Sequence, residues 1–207
     1  MDNFFNPSRI WKNGGPYPHF LVLFDQHPEY REYVRAHAEL LSQYPHLGVI
    51  PEPWLHSTVQ GIHHHVTPEQ MERLEDAARQ ELRTMQPFTV QLGPTWPGVT
   101  AITVAVYPED GMAELNKRVR AAASSVAGIS LRAPESRFWA HTSLCYARAD
   151  SDPTTDRKLN RELRGLRPER VEITIDRVHL VSQRQDPQQG IYTWDDDPVE
   201  LVFGVSA

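Results

Sequence analysis

The sequence has 207 residues, 40% hydrophobic and 23% charged, with a formal net charge of −6. That length fits one domain or two small lobes with a real core. The acidic balance argues against a broad footprint for long double-stranded nucleic acid, which needs many Lys and Arg to neutralise phosphates, but leaves room for a nucleotide or an RNA end in a local pocket. No stretch approaches the ~20 apolar residues of a membrane span, and residues 1–13 lack an apolar run of signal-peptide length. The single cysteine, Cys145, cannot form an internal disulfide, as suits a reducing compartment. A cytoplasmic, monomeric protein without a membrane partner is expected.

In chain order, the apolar run 19–24 reads as a buried strand. Pro28 marks a helix start, and Tyr30, Tyr33, Val34, Leu41 and Tyr44 recur at helical spacing up to Pro45. After the Pro51-Glu52-Pro53 turn a strand is predicted over 54–62. Thr67 caps the next helix, Pro68 suits its first turn and Gln70 completes a capping box, with Met71, Leu74, Ala78, Leu82 and Met85 on one face. Strands follow over 88–92 and 99–107, separated by Gly93-Pro94 and Pro97-Gly98. Asp110 is a candidate cap for a helix carrying Met112, Leu115, Val119, Ala122 and Val126, with Gly128 as its stop. A strand over 138–147 comes next, then a helix opened by Asp152-Pro153 with Leu159, Leu163 and Leu166. One long strand over 171–182 and two short ones at 191–194 and 199–203 complete the chain.

This order lacks the regular alternation of a doubly wound sheet, which makes the class α+β. A histidine-bearing strand followed by a helix occurs once in each half. Residues 1–207 are therefore read as a single bilobal domain, with lobes over about 19–108 and 109–207 and strands free to exchange between them.

The two histidine strands read Trp54-Leu55-His56-Ser57-Thr58-Val59 and Trp139-Ala140-His141-Thr142-Ser143-Leu144. Alternate residues of a strand share a face, so each would present an indole, an imidazole and a hydroxyl in a row. Ten histidines and 23 serines and threonines in 207 residues produce about one His-x-Ser/Thr by chance, and three occur. The third, His65-Val66-Thr67, is explained by Thr67 as a helix cap. The matched pair is the signal. His63 and His65 would share a strand face, but no second ligand cluster accompanies them, so neither a metal nor another cofactor is expected.

With these motifs the sequence resembles the 2H phosphoesterase superfamily, named for two His-x-Thr/Ser-x motifs, and especially its bacterial 2'-5' RNA ligase-like members, which include RNA 2',3'-cyclic phosphodiesterases. The resemblance extends to the Pro-Glu-Pro-Trp-Leu-His lead, to Gln60-Gly61 and to the run 181–187. It implies a bilobal, pseudo-symmetric α+β fold, with two antiparallel sheets lining a central cleft and helices outside. His56 and His141 match the catalytic positions, and Thr58 and Ser143 the hydroxyls that hold the phosphate. Ser143 stands where many relatives carry Thr, which keeps the donor.

A histidine pair suits phosphodiester cleavage because an ordinary pKa near ~6.5 lets one imidazole take a proton while the other gives one. The expected activity is a metal-independent cyclic phosphodiesterase acting on a nucleotide or RNA-end 2',3'-cyclic phosphate or a 2'-5' linkage, with ligation as the reverse direction. Trp54 and Trp139 are candidate base platforms, Arg137 and Arg184 candidate phosphate partners, and Tyr192 with Trp194 a candidate cap on the cleft. A Cys145–His141 nucleophile pair is disfavoured by four residues of strand, about 13 Å. The rival from another class is a non-catalytic RNA- or nucleotide-binding protein of the same fold.

Overall fold

The computed structural model describes residues 1–12, 15–195 and 197–204. Its elements are β1 (Tyr17–Leu23), α1 (Pro28–Ser42), β2 (Leu47–Val49), β3 (His56–Gly61), α2 (Pro68–Leu82), β4 (Phe88–Pro97) and β5 (Ala101–Tyr107). They continue with α3 (Asp110–Ser125), β6 (His141–Ala147), α4 (Pro153–Gly165), β7 (Val171–Ile175), β8 (Arg177–Asp186), β9 (Ile191–Trp194) and β10 (Val199–Val202). Two antiparallel sheets result. The first runs β10-β8-β1-β3, with β9 also paired to β8, and the second runs β2-β6-β5-β4-β7. Each takes strands from both halves of the chain.

The helices cover the outer faces, as their amphipathic stripes require. Helices α2 and α3 pack on each other and on β10 and β3, while α1 and α4 lie against strands of the second sheet. One continuous core joins these layers, with Tyr30, Leu74, Leu92, Ile102 and Met112 fully buried. The capping box of α2 is present: Gln70 N–H donates to Thr67 Oγ1 at 3.2 Å and Thr67 N–H to Gln70 Oε1 at 2.9 Å. Asp152 caps α4 by accepting from the N–H groups of Thr154 and Thr155. Asp110 is the first residue of α3 rather than its cap, and Glu109 before it makes no capping bond.

Several strands differ from expectation, and β4 runs through Gly93-Pro94 to Pro97 as one strand. The motif strands begin at His56 and His141; Trp54 closes a 3-10 turn over Glu52–Trp54, and Trp139 lies in irregular chain. The stretch 171–182 divides at Asp176, β7 pairing with β4 in the second sheet and β8 with β1 in the first. Alternation changes phase there, from Val171, Ile173 and Ile175 in β7 to Val178 and Leu180 in β8, with Asp176-Arg177 between them. Strand β2, of three residues, pairs with β6 and is too short to show a period.

Candidate active site

Both motif strands carry a bulge at the same place. Against β1, Thr58 pairs with Leu21 and Gln60 with Phe20, which leaves Val59 as an extra residue. Against β5, Ser143 pairs with Thr103 and Cys145 with Ile102, which leaves Leu144 extra. Before the bulge, parity holds, so His56 and Thr58 share a face, as do His141 and Ser143. After it, parity inverts. Tyr146, paired with Ala101, joins the His141 face, and Cys145 turns into the core, its thiol pushed up to about 12 by burial. Cys145 therefore lies off the His141 face, although four residues of regular strand would place the two on one face.

Strand β3 ends the first sheet and lies against β6 of the second. The buried Ser57 hydroxyl, pointing away from the imidazole beside it, donates to the His141 carbonyl at 2.7 Å. This bond ties one motif to the other. The imidazoles are held alike: Nδ1 of His56 lies 2.7 Å from the Trp54 carbonyl and Nδ1 of His141 3.0 Å from the Trp139 carbonyl. A carbonyl only accepts, so Nδ1 carries hydrogen in both rings, and Nε2 is the nitrogen left for a ligand. Burial holds His56 down to about 4, against the carbonyl bond and with the charge of His141 adding to the depression. His141 is also lowered by burial, against the pull of its Trp139 carbonyl bond and of Glu135.

Aromatic rings surround the pair. Trp194 meets His56 edge-on at 5.3 Å and Trp54 at 4.8 Å, and Tyr192 lies 6.4 Å from His56. Trp139 stacks on His141, centroids 3.9 Å apart and planes 19° apart, with its other side in solvent. Thr58 is exposed at this opening, while Ser143 is buried on the same face as Tyr146. The two candidate arginines do not join the constellation. Arg137 precedes β6 and pairs with Glu109 at 2.5 Å; Arg184, opposite in parity to Gln183 and Gln185, pairs with Asp195.

Cations in an adjoining cleft come instead from loops. A cleft of about 670 Å³ reaches Tyr192 and is lined by Arg9, Trp11, Lys12, His63 and Arg132, with no carboxylate among its described lining residues. Arg9 donates to Thr100 Oγ1 at 3.2 Å, just before β5. None of these cations sits in a periodic segment. His19, on β1 opposite Gly61, is a third buried imidazole on this side, Nδ1 3.0 Å from the Tyr17 carbonyl, and burial holds it down to about 3. A Cβ on Gly61 would stand 2.6 Å from His19 Nε2 and 2.9 Å from His63 Nε2, so only glycine permits their approach. Of the triple histidine, His63 and His64 line this cleft while His65 meets Tyr17 edge-on. Among the described residues no three His, Cys, Asp or Glu side chains are placed to hold a metal ion.

A second cavity, of about 510 Å³, lies at the other end of β1. Asp25, Asp176 and Glu200 line it together with His27, Arg177 and His179, which ill suits an anionic ligand. Neither motif histidine lines it, and neither lines the cleft of Arg9 and Lys12, which meets the pair through Tyr192, 6.4 Å from His56. Among the described residues no helix is long and apolar enough to cross a membrane.

The sequence matches no protein-family model and no curated protein. Its fold is nonetheless shared with solved structures. TT0787 of Thermus thermophilus superposes with a TM-score of 0.66 at 16% identity, over 89% of this chain and 97% of that one. LigT of E. coli complexed with 3'-AMP superposes with a TM-score of 0.62 at 14% identity, over 91% and 98%. A structure described as a phosphoesterase gives 0.58 at 15% identity, over 90% and 98%.

Proposed function

We propose that this chain, which has the α+β fold of the 2H phosphoesterases, is a metal-independent phosphoesterase that opens a nucleotide or RNA-end 2',3'-cyclic phosphate with His56 and His141. The observation that carries the reading is the matched histidine pair, each ring oriented by the carbonyl two residues before it and the two strands joined through Ser57. The anionic character of the ligand is supported by the cations and the absence of carboxylates among the described residues of the adjoining cleft. E. coli LigT, of the same fold, has been solved with 3'-AMP, ATP, NADP+ and phosphate.

The division of labour follows from the surroundings. His56, 5% exposed and with no acidic group raising it, stays neutral and takes the proton of the attacking water at Nε2. His141, less buried, lies under the indole face of Trp139 and feels Glu135; both favour the imidazolium that protonates the departing ribose oxygen. Thr58 and Ser143 hold the non-bridging oxygens, where hydroxyl donors stabilise the charge that builds in the transition state. Trp54 and Tyr192 form the wall against the ribose and base. Arg9, Lys12 and Arg132 supply the field that the paired Arg137 and Arg184 do not.

The test is turnover of a 2',3'-cyclic nucleotide in the presence of EDTA. His56→Ala and His141→Ala are each expected to lower kcat/KM by at least about 10²-fold, and the double variant to lose far less than the product of the two, because the groups act as a unit. Wild-type protein that binds the nucleotide without turning it over would return the chain to the non-catalytic reading.

A further inference from the structure

Among the described residues three aromatic side chains are exposed, Trp96 at 58%, Tyr107 at 61% and Trp139 at 55%. All three lie on one face. Ser143 pairs with Thr103 and Thr103 with Trp96, so Trp96 shares the face of Ser143 two strands away. His141 pairs with Ala105, and Tyr107 follows two residues on along β5 with no bulge on that strand, so it too faces the histidine side. Trp139 reaches the same side by stacking on His141. The opposite face of β4 and β5 is core: Val90, Leu92, Ile102, Val104 and Val106 are buried beneath α1 and α4.

We propose that this open face of the second sheet is a base-stacking platform, so that the ligand whose terminal phosphate meets the histidines is a single strand of nucleic acid and not a mononucleotide. The inference rests on the phosphoesterase reading for the location of the terminal phosphate. The composition of the face selects the occupant. Between its aromatics lie exposed Gln91 and Thr89, half-buried Ala105 and buried Thr103, small or polar, with Glu172 beside Gln91, whereas a protein partner needs a contiguous apolar centre. Isolated rings on a sheet stack bases, and a face of four strands serves two or three of them. By strand spacing, Trp96 stands ~10 Å from Ser143 across the sheet, and Tyr107 ~13 Å from the Trp96 row along it. Arg9, which lines the cationic cleft, bonds Thr100 just before β5, at the edge of the same sheet. Backbone phosphates and bases thus meet complementary surfaces side by side.

The experiment compares Trp96→Ala, Tyr107→Ala and wild type on two ligands: a mononucleotide 2',3'-cyclic phosphate, and a short single-stranded RNA with the same terminus. A fluorescently labelled strand ending in a 3'-phosphate is titrated alongside, since anisotropy needs no turnover. Each substitution is expected to weaken strand binding and to lower kcat/KM on the strand by about 5- to 150-fold, and to leave the mononucleotide unchanged. Trp96→Phe and Tyr107→Phe should keep most of the affinity. Equal strand binding by wild type and alanine variants overturns the platform, as does a wild type that does not bind the strand. Self-association that depends on Trp96 without any effect on strand binding overturns it in favour of a protein contact. Loss of strand binding in the variants, with no turnover of either ligand by wild type, supports the platform and sinks the phosphoesterase reading alone.

Discussion

Replacing Ser57 by alanine tests whether the two motif strands are held in register by the bond between them. The Oγ···O distance is 2.7 Å, and Ser57 is only 1% exposed, so no water readily takes the place of the hydroxyl. Losing a neutral hydrogen bond and stranding part of a buried acceptor costs about 1–3 kcal/mol. For a chain of this size each kcal/mol moves Tm by about 2–4 °C, so a fall of about 2–12 °C is expected in thermal unfolding. Activity should suffer separately. Ser57 sits between His56 and Thr58 at the edge of the first sheet, and a shift of about 1 Å in reacting groups costs about 10²-fold, so kcat/KM on a cyclic phosphate should fall by about 10- to 100-fold. Thr142→Val, at the matching place in the second motif, removes only a contact of 3.5 Å with the Tyr30 hydroxyl and should cost under about 1 kcal/mol. Ser57→Ala with wild-type Tm and wild-type kcat/KM would refute the account of how the pair is built.

Because both motif imidazoles are held below the ordinary histidine range, the proposed acid/base pair predicts a kcat/KM bell with its maximum between about pH 4 and the ordinary ~6.5, the two limbs belonging to the coupled pair; a maximum above about pH 7.5 would contradict this. Stability should fall with acid in the same window. His19 at about 3 and His56 at about 4 stay neutral when folded but take protons when unfolded, so stability is full above ~6.5 and drops as pH falls, by about 2 kcal/mol for each between about 6.5 and 5. His27, His37, His46, His63, His141 and His179 are lowered too and add in the same sense; an unchanged urea midpoint between about pH 7 and 5 would refute it. Thr67→Ala opens the α2 capping box and should cost about 1 kcal/mol in urea unfolding while leaving KM alone, since α2 lies on the outer face of the first sheet.

Local chemistry settled much of this protein before any folding. The spacing of apolar residues marks α1 to α4, the Thr67–Gln70 box and Asp152 set where two of them start, and alternation places each histidine on the face of its hydroxyl two residues later. These features depend on neighbours within a turn or a pleat, so the sequence displays them directly. What depends on a distant partner does not appear there. Whether Val59 and Leu144 are paired or extra is decided by β1 and β5, and on that rests the entry of Tyr146 and the exclusion of Cys145 from the site. The phase of the alternation shifts at Asp176-Arg177, but which sheet each half joins is decided by the strands it can reach. Arg9, Lys12 and Arg132 carry no pattern because loops need none, and Arg137 and Arg184 are paired by Glu109 and Asp195, which the fold brings alongside. Pairing energies between remote segments choose these contacts, and only the closed tertiary structure contains those segments side by side.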